Sequence, residues 1–257
     1  MVCTIGVKLF VTLLSDLHLE FWGGSERKHL EEFKISKDMP LIIPGDLTTF
    51  RTPSYSRWEP ETILDYLCDQ APMVIYLPGN HEYYKAVSTA YVDDRISEIE
   101  SELTNLKVLR TNEVFLYEDK RFIGDTMWFP NIPEVEINKG CINDTFLIKD
   151  LLPWAYNKNT DFRNWVSKEC RKGDIVITHH LPTNECQPVQ FRNHETSPYF
   201  VSDMKDIITA NEPSVWIFGH THSRRDFTEH NTRLLCNAIG YPLELYNEEY
   251  PKSEFEI

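Results

Sequence analysis

The sequence predicts an α/β fold that mixes parallel and antiparallel strands, and three features predict it. Short apolar, β-branched runs recur along the chain and stop at Pro, Gly, Asp or His. Segments with an apolar face at helical spacing lie between them. Two pairs of strand-like runs flank short polar turns.

In chain order, residues 9–14 end at Ser15-Asp16, and residues 41–43 end at Pro44-Gly45-Asp46. Residues 73–77 end at Pro78-Gly79-Asn80-His81, residues 174–178 at His179-His180, and residues 215–218 at Gly219-His220-Thr221-His222. Three to six residues of this composition suit buried strands. Helices are predicted over 61–69, with Ile63, Leu64 and Leu67 on one face, and over 91–106, with Val92, Ile96, Ile99, Leu103 and Leu106. A third covers 161–170 with Phe162, Trp165 and Val166. A fourth runs from Ser202 as N-cap through Met204, Ile207 and Ile208. The hairpins pair 113–117 with 121–124, and 224–228 with 232–237. Residues 130–160, which include Trp154, show the least regular pattern and read as a cap or loop excursion over the site. A chain of 257 residues fits one domain spanning 1–257 with that insertion.

Hydrophobic residues make up 41% and charged residues 26%, which places the chain among soluble globular proteins, and 12% aromatics exclude a disordered one. The net charge of -14 repels phosphate backbones and argues against an extended nucleic-acid surface. Phosphate chemistry on such a chain needs a local reversal of sign, which bound divalent cations provide. The six cysteines, Cys3, Cys68, Cys141, Cys170, Cys186 and Cys236, form no C-x-x-C pair and read as buried reduced thiols of a cytoplasmic protein. The apolar run 7–14 carries Lys8 and leads straight into Asp16, so it reads as a strand and not a leader. No run reaches the length of a membrane span.

Five of the predicted strand ends carry metal-type ligands, and ligands of open α/β sheets gather beyond strand carboxyl ends. Asp16 and His18 are two apart, so in an extended segment both would face one metal. Asp46 follows a glycine that permits a tight turn, and a carboxylate there can bridge two cations. Asn80 offers a neutral hard oxygen, with His81 beside it. His179-His180 and His220-x-His222 add imidazoles at two more strand ends. A lone histidine is ordinarily structural, but six of the nine lie in these motifs. Three oxygen ligands and four imidazoles, Asp16, His18, Asp46, Asn80, His179, His220 and His222, suit two hard-to-borderline divalent ions sharing Asp46. Mn²⁺ is the first choice, with Fe, Zn, Ni or Mg as alternatives.

The ordered run Asp16-x-His18, Gly45-Asp46, Gly79-Asn80-His81-Glu82, His179, Gly219-His220-x-His222 resembles the signature of the calcineurin-like metallophosphoesterases, and it spans nearly the whole chain. The resemblance implies a four-layer α-β-β-α sandwich of two mixed sheets flanked by helices. It places Asp16, His18 and His222 on one metal, Asn80, His179 and His220 on the other, and Asp46 between them. It makes His81 the general acid near the site and Asp46 the holder of a bridging hydroxide. Gly45-Asp46-Leu47-Thr48 lacks the Asp-Arg-Gly of the Ser/Thr protein phosphatases, so the carboxylate that would orient the catalytic histidine and the phosphate-binding arginine are both missing. The stretch Gly79 to Tyr84 places the chain closer to the bacterial and phage-type branch.

The implied activity is metal-dependent phosphoester hydrolysis, on a phosphodiester or a small-molecule or nucleotide monoester. Two cations about 3.5–4 Å apart would lower the pKa of a shared water and screen the phosphoryl charge. His81 would protonate the leaving oxygen, a role worth about 10²–10⁴-fold. The alternatives are a nuclease of the same superfamily acting on short oligonucleotides, and a non-catalytic protein-binding scaffold. Candidate substrate contacts are Asn143, Asp144, His180, Arg224 and Tyr83, with Tyr84, Asn237, Gly240 and Tyr241 near by. His194 and His230 read as surface residues. Partners are a small phosphorylated substrate, with no membrane.

Overall fold

The computed structural model describes residues 8–51, 58–245 and 250–257; Cys3 and Val7 lie outside them. The strands are β1 (Phe10–Leu13), β2 (Leu41–Pro44), β3 (Val74–Leu77), β4 (Leu106–Val108), β5 (Phe115–Tyr117), β6 (Lys120–Asp125), β7 (Ile175–Thr178), β8 (Val215–Ile217), β9 (Arg225–Glu229), β10 (Thr232–Cys236) and β11 (Glu254–Glu256). The helices are α1 (Glu26–Glu32), α2 (Pro60–Gln70), α3 (Thr89–Glu102), α4 (Pro133–Asn138), α5 (Asp144–Leu147), α6 (Leu151–Glu169), α7 (Lys205–Asn211) and α8 (Pro242–Leu245).

One sheet has the order β11-β1-β2-β3-β4, the other β5-β6-β7-β8-β10-β9. In the first, β1 to β4 are parallel and β11 is antiparallel; in the second, β6, β7, β8 and β10 are parallel and β5 and β9 are antiparallel. The period of two along each strand creates the layers. Val11, Leu13, Ile42, Ile75 and Leu77 of the first sheet pack with Phe122, Ile175, Ile177, Val215, Ile217 and Leu235 of the second. The alternate residues Leu41, Ile43, Val74 and Tyr76 pack under α1, α2 and α3 through Leu30, Ile63, Leu64, Leu67, Val92, Ile96 and Ile99. On the far side Val176, Trp216 and Leu234 meet Phe162 and Val166 of α6 and Ile207 and Ile208 of α7. The result is the four-layer sandwich, with β1, β2, β3, β7 and β8 all ending on one edge. A parallel bridge between Ser15 and Ala238 ties the two sheets together there.

Several expectations are corrected. Residues 130–160 are largely helical: α4, α5 and the first half of α6 fill them. Pro153 hid α6 in the sequence, yet it stands in the first turn, where no amide hydrogen is needed. The polar stretch 157–160 hid it too, but Asn159 is buried and donates to the Met127 carbonyl (3.0 Å) and the Ser202 hydroxyl (2.7 Å). Ser202 is thereby spent, and α7 starts three residues later, where Asp203 accepts from the Lys205 amide. The predicted helix 91–106 is split. Ser88 caps α3 by accepting from the Tyr91 amide, the helix ends at Glu102, and Leu106 opens β4. The short elements α1 and β11 carry too few residues for their periodicity to register. Cys68, Cys170, Cys186 and Cys236 are buried free thiols, but Cys141 is exposed. Among the described residues no helix is long and apolar enough to cross a membrane.

Candidate metal centre

The loops after β1, β2, β3, β7 and β8 converge, although not by the extended geometry that the Asp16-x-His18 spacing suggests. Asp16 (φ 56°), His18 (45°), Asp46 (55°), His220 (66°) and His222 (49°) are all left-handed. Each such non-glycine residue costs about 1–3 kcal/mol, so the surrounding loops must hold it. They do so with main-chain bonds. The Asp16 amide donates to the Gly45 carbonyl (3.2 Å), that of His18 to Asp46 (2.9 Å), and that of Gly219 to His179 (3.0 Å). The His220 amide donates to Asp16 Oδ1 (2.8 Å). Two glycines let the loops approach. A Cβ on Gly45, whose φ is +92°, would stand 2.7 Å from the Gly79 nitrogen, and one on Gly79 would strike the Asp46 carboxylate.

Glu82 is the buried clamp between two of these loops. Its carboxylate accepts from the amides of Leu47 (2.8 Å), Gly79 (2.8 Å) and Asp46 (3.2 Å) and from the Tyr76 hydroxyl (3.0 Å). Nothing but the adjacency of Glu82 to His81 marks this role in the chain. Glu82→Ala strands these buried donors at about 1–3 kcal/mol for each one left unsatisfied. The expected loss of stability is at least about 3 kcal/mol, measured by urea unfolding.

Six of the seven ligand-type side chains meet in two adjoining groups, and Asn80 joins the second beside His179. Asp16, His18, Asp46 and His222 form one, and Asp46, His179 and His220 the other. His18 Nε2 lies 2.8 Å from His222 Nε2, and His179 Nε2 lies 2.9 Å from Asn80 Oδ1. Asp46 faces both groups, with Oδ2 3.6 Å from His18 Nε2 and Oδ1 3.4 Å from His179 Nε2. Donors about 2.0–2.2 Å from a shared ion stand roughly 2.8–3.6 Å apart for angles between 90° and tetrahedral, so these separations fit two cation sites. Two imidazole nitrogens pointing at one another also need a proton or a cation between them.

Behind the donors stands a ring of acceptors. Asp144 Oδ1 accepts from Asn80 Nδ2 (2.9 Å) and from the Tyr84 hydroxyl, which turns the Asn80 oxygen toward His179. His179 Nδ1 meets the Pro44 carbonyl at 2.8 Å, and His222 Nδ1 meets Glu244 Oε2 at 2.8 Å. Such partners fix the ring orientation, and losing one costs about 10–100-fold in metal affinity or activity. Asp144→Ala is expected to weaken divalent-cation binding at the Asn80 side by that factor, read by calorimetric titration.

A third group, His18, Glu20 and His81, was not foreseen. His81 Nδ1 lies 2.8 Å from Glu20 Oε1 in a nearly closed environment. Burial disfavours the His81 imidazolium, but the Asp46 charge and the Glu20 hydrogen bond outweigh it and push its pKa up to about 9. Burial works against the Asp46 carboxylate too, yet His179, His81 and His18 hold its pKa well below the ordinary carboxylate range. His220 is driven strongly toward the neutral form by burial and by His180 and His179, which suits a ligand. Glu20 supplies the orienting carboxylate that the loop after Asp46 lacks. The signal was available as Asp16-x-His18-x-Glu20, a third residue in the same register.

The substrate candidates divide. Asp144 lies in the ring of acceptors, and Asn143 lines the cavity above the centre without capping α5. Tyr83 is corrected. It is buried, donates to Asp93 (2.7 Å) and packs on Trp128 and Trp154, because the turn after Asn80 sends the two adjacent tyrosines apart. Tyr84 faces the cavity instead, stacked on His81 at 4.1 Å. His180 is also corrected: it is fully buried between Trp128, Phe129 and His220, with Nδ1 at the Thr126 carbonyl, and does not line the cavity. Arg224 is exposed and lines a neighbouring hollow beside His222. Tyr241 reaches the site, with its hydroxyl 3.4 Å from His81 Nε2, whereas Asn237 is spent on the carbonyls of Leu13 and Lys252. His194 is exposed but stands at the cavity mouth.

This fold and this array of clustered carboxylates and imidazoles at strand ends define a metal-assisted phosphoesterase. The sequence pattern of the calcineurin-like phosphoesterases matches residues 11–224, and the chain belongs to that family of enzymes. It is 29% identical to the uncharacterized protein L509 of Acanthamoeba polyphaga mimivirus over 91% of this chain and 92% of that one. The crystal structure of phosphopantetheinyl hydrolase (PptH) from Mycobacterium tuberculosis superposes with a TM-score of 0.77 at 18% identity, covering 98% of this chain and 97% of that one.

Proposed function

We propose that the protein is a two-metal phosphodiester hydrolase acting on a small substrate. The observation that carries this reading is the position of Asp46, whose two oxygens face separate donor groups at 3.6 and 3.4 Å. Asp16, His18 and His222 would hold one ion and Asn80, His179 and His220 the other. When bound, such a pair supplies a nucleophilic water at neutral pH and charge to screen the phosphoryl group. The Mn²⁺ preference follows from the mixture of hard oxygens and imidazoles.

His81 stands beside both donor groups, and its Nε2 is free of carboxylates, so it is the proton donor to the leaving oxygen. Glu20 holds the ring through Nδ1 and favours the protonated form. Tyr241 meets the same Nε2 and helps fix its direction. Among the described residues neither a lysine nor an arginine lines the cavity, so the second negative charge of a monoester would have only the ions to meet it. A singly charged diester fits better.

The test is metal-dependent hydrolysis of bis-p-nitrophenyl phosphate and p-nitrophenyl phosphate with Mn²⁺. The expected result is two ions bound per chain, a rate abolished by chelation, and a diester rate at least about tenfold above the monoester. Hydrolysis of neither ester across several metals would overturn the reading.

A further inference from the structure

The cavity above the centre, about 520 Å³, has two aromatic walls; the hydroxyls of the first serve the centre, but its ring faces and the whole of the second are left over. Beside His81 stand Tyr84 and Tyr241, and behind Tyr241, outside the cavity lining, Phe21 is 54% exposed and edge-on to it at 5.2 Å. Beside His220 stands Phe200, stacked on its ring at 4.6 Å, and Ile142 and Phe191 line the same cavity. Phe191 is 52% exposed. Large aromatic side chains left in water around a site are the usual mark of a surface that a ligand covers.

The charges around these walls narrow the ligand. Besides the histidines, the charged side chains lining the cavity are Asp46, Asp144 and Glu244, each engaged with the centre or with its acceptors. Arg192 and Arg225 hold the second wall in shape. Arg192 donates to the carbonyls of Gln187 and Glu185, and Arg225 to those of Cys186 and Gln187. Their guanidinium groups are directed to the main chain. Among the described residues no lysine or arginine lines the cavity, and Arg224 lines only the neighbouring hollow beside His222, so a further phosphate or carboxylate held against either wall meets acid.

We infer that the two walls are subsites for the two ester arms of a phosphodiester, both uncharged. The leaving arm lies against Tyr84 and Tyr241, where His81 can protonate its oxygen, and the retained arm seats an apolar or aromatic face on Phe191 and Phe200. This rests on the hydrolase reading and adds the chemical class of the substrate. It excludes nucleotides with a polyphosphate or anionic arm.

The test compares three p-nitrophenyl diesters with one leaving group and different retained arms: phenyl, methyl and 4-carboxyphenyl. In the Mn²⁺-loaded protein, kcat/KM for phenyl is expected to exceed that for methyl by about tenfold, and that for 4-carboxyphenyl by at least as much. In Phe191→Ala the phenyl-to-methyl ratio is expected to fall to about two, mainly through KM; Phe191 is half exposed, so the fold tolerates the change. Calorimetry with diphenyl and dimethyl phosphate reads the wall without turnover. Tighter binding of diphenyl phosphate, reduced in Phe191→Ala, supports the wall even if no ester is hydrolysed, and then only the hydrolase reading falls. Turnover or binding that ignores the arm, or equal use of phenyl and 4-carboxyphenyl, overturns the wall.

Discussion

Asp46→Asn is expected to reduce the Mn²⁺ content from two ions per chain to one and to lower kcat/KM by at least about 10³-fold, since the shared ion pair contributes several kcal/mol to the transition state. The substitution is isosteric, so its effect can be separated from folding. Asp46 Oδ1 accepts from the His81 amide at 2.9 Å, and the Asn oxygen keeps that bond. What is lost is the charge. Asp46 stays ionised against its burial because His179, His81 and His18 surround it, and one carboxylate then faces two donor groups with different oxygens. An amide oxygen can still serve one ion, but its nitrogen presents hydrogens to the other. Metal analysis, circular dichroism and steady-state kinetics on one preparation check the three claims. A variant that binds two ions and turns over at the wild-type rate contradicts the sharing.

How much of this was readable beforehand depends on the range over which each residue acts. The strand ends were legible because each is local: an apolar run, a glycine, a ligand. Gly45-Asp46 and Gly219-His220 could be placed on strand ends with no knowledge of their neighbours. The directions of the side chains were not legible. Asp16 and His18 were expected to share a face by extended geometry, and they converge through two left-handed residues held by the Gly45 and Asp46 carbonyls. Such a conformation is imposed by a loop thirty residues away, so no spacing rule reports it. The same holds for the ring of acceptors. Asp144 is 64 residues from Asn80, and Glu82 gathers amides from a loop 35 residues earlier. Tyr83 and Tyr84 show the limit most plainly. Adjacent and chemically alike, they go to core and cavity because one turn after Asn80 sends them apart.

The second large effect belongs to the pair His81 and Glu20, and it is expected to depend on the leaving group. His81→Ala should slow hydrolysis of a phenyl or alkyl diester by about 10²–10⁴-fold. For a p-nitrophenyl diester the loss should be much smaller, because a good leaving group departs without a proton. Glu20→Gln should show the same pattern at reduced size, about 10–100-fold on the poor leaving group, since it acts through the ring it orients. Glu20 Oε1 reaches His81 Nδ1 at 2.8 Å and lies 3.5 Å from His18 Nδ1, so a trivial explanation must be separated. If Glu20 served only to keep His18 on its ion, Glu20→Gln would weaken Mn²⁺ binding and slow good and poor leaving groups equally. If it positions the acid, metal affinity is nearly retained, KM changes little, and the loss in kcat grows as the leaving group becomes more basic. A rate series over phenols of increasing pKa distinguishes these. Parallel lines for wild type and Glu20→Gln would remove Glu20 from the proton path, and parallel lines for His81→Ala would remove the histidine as well.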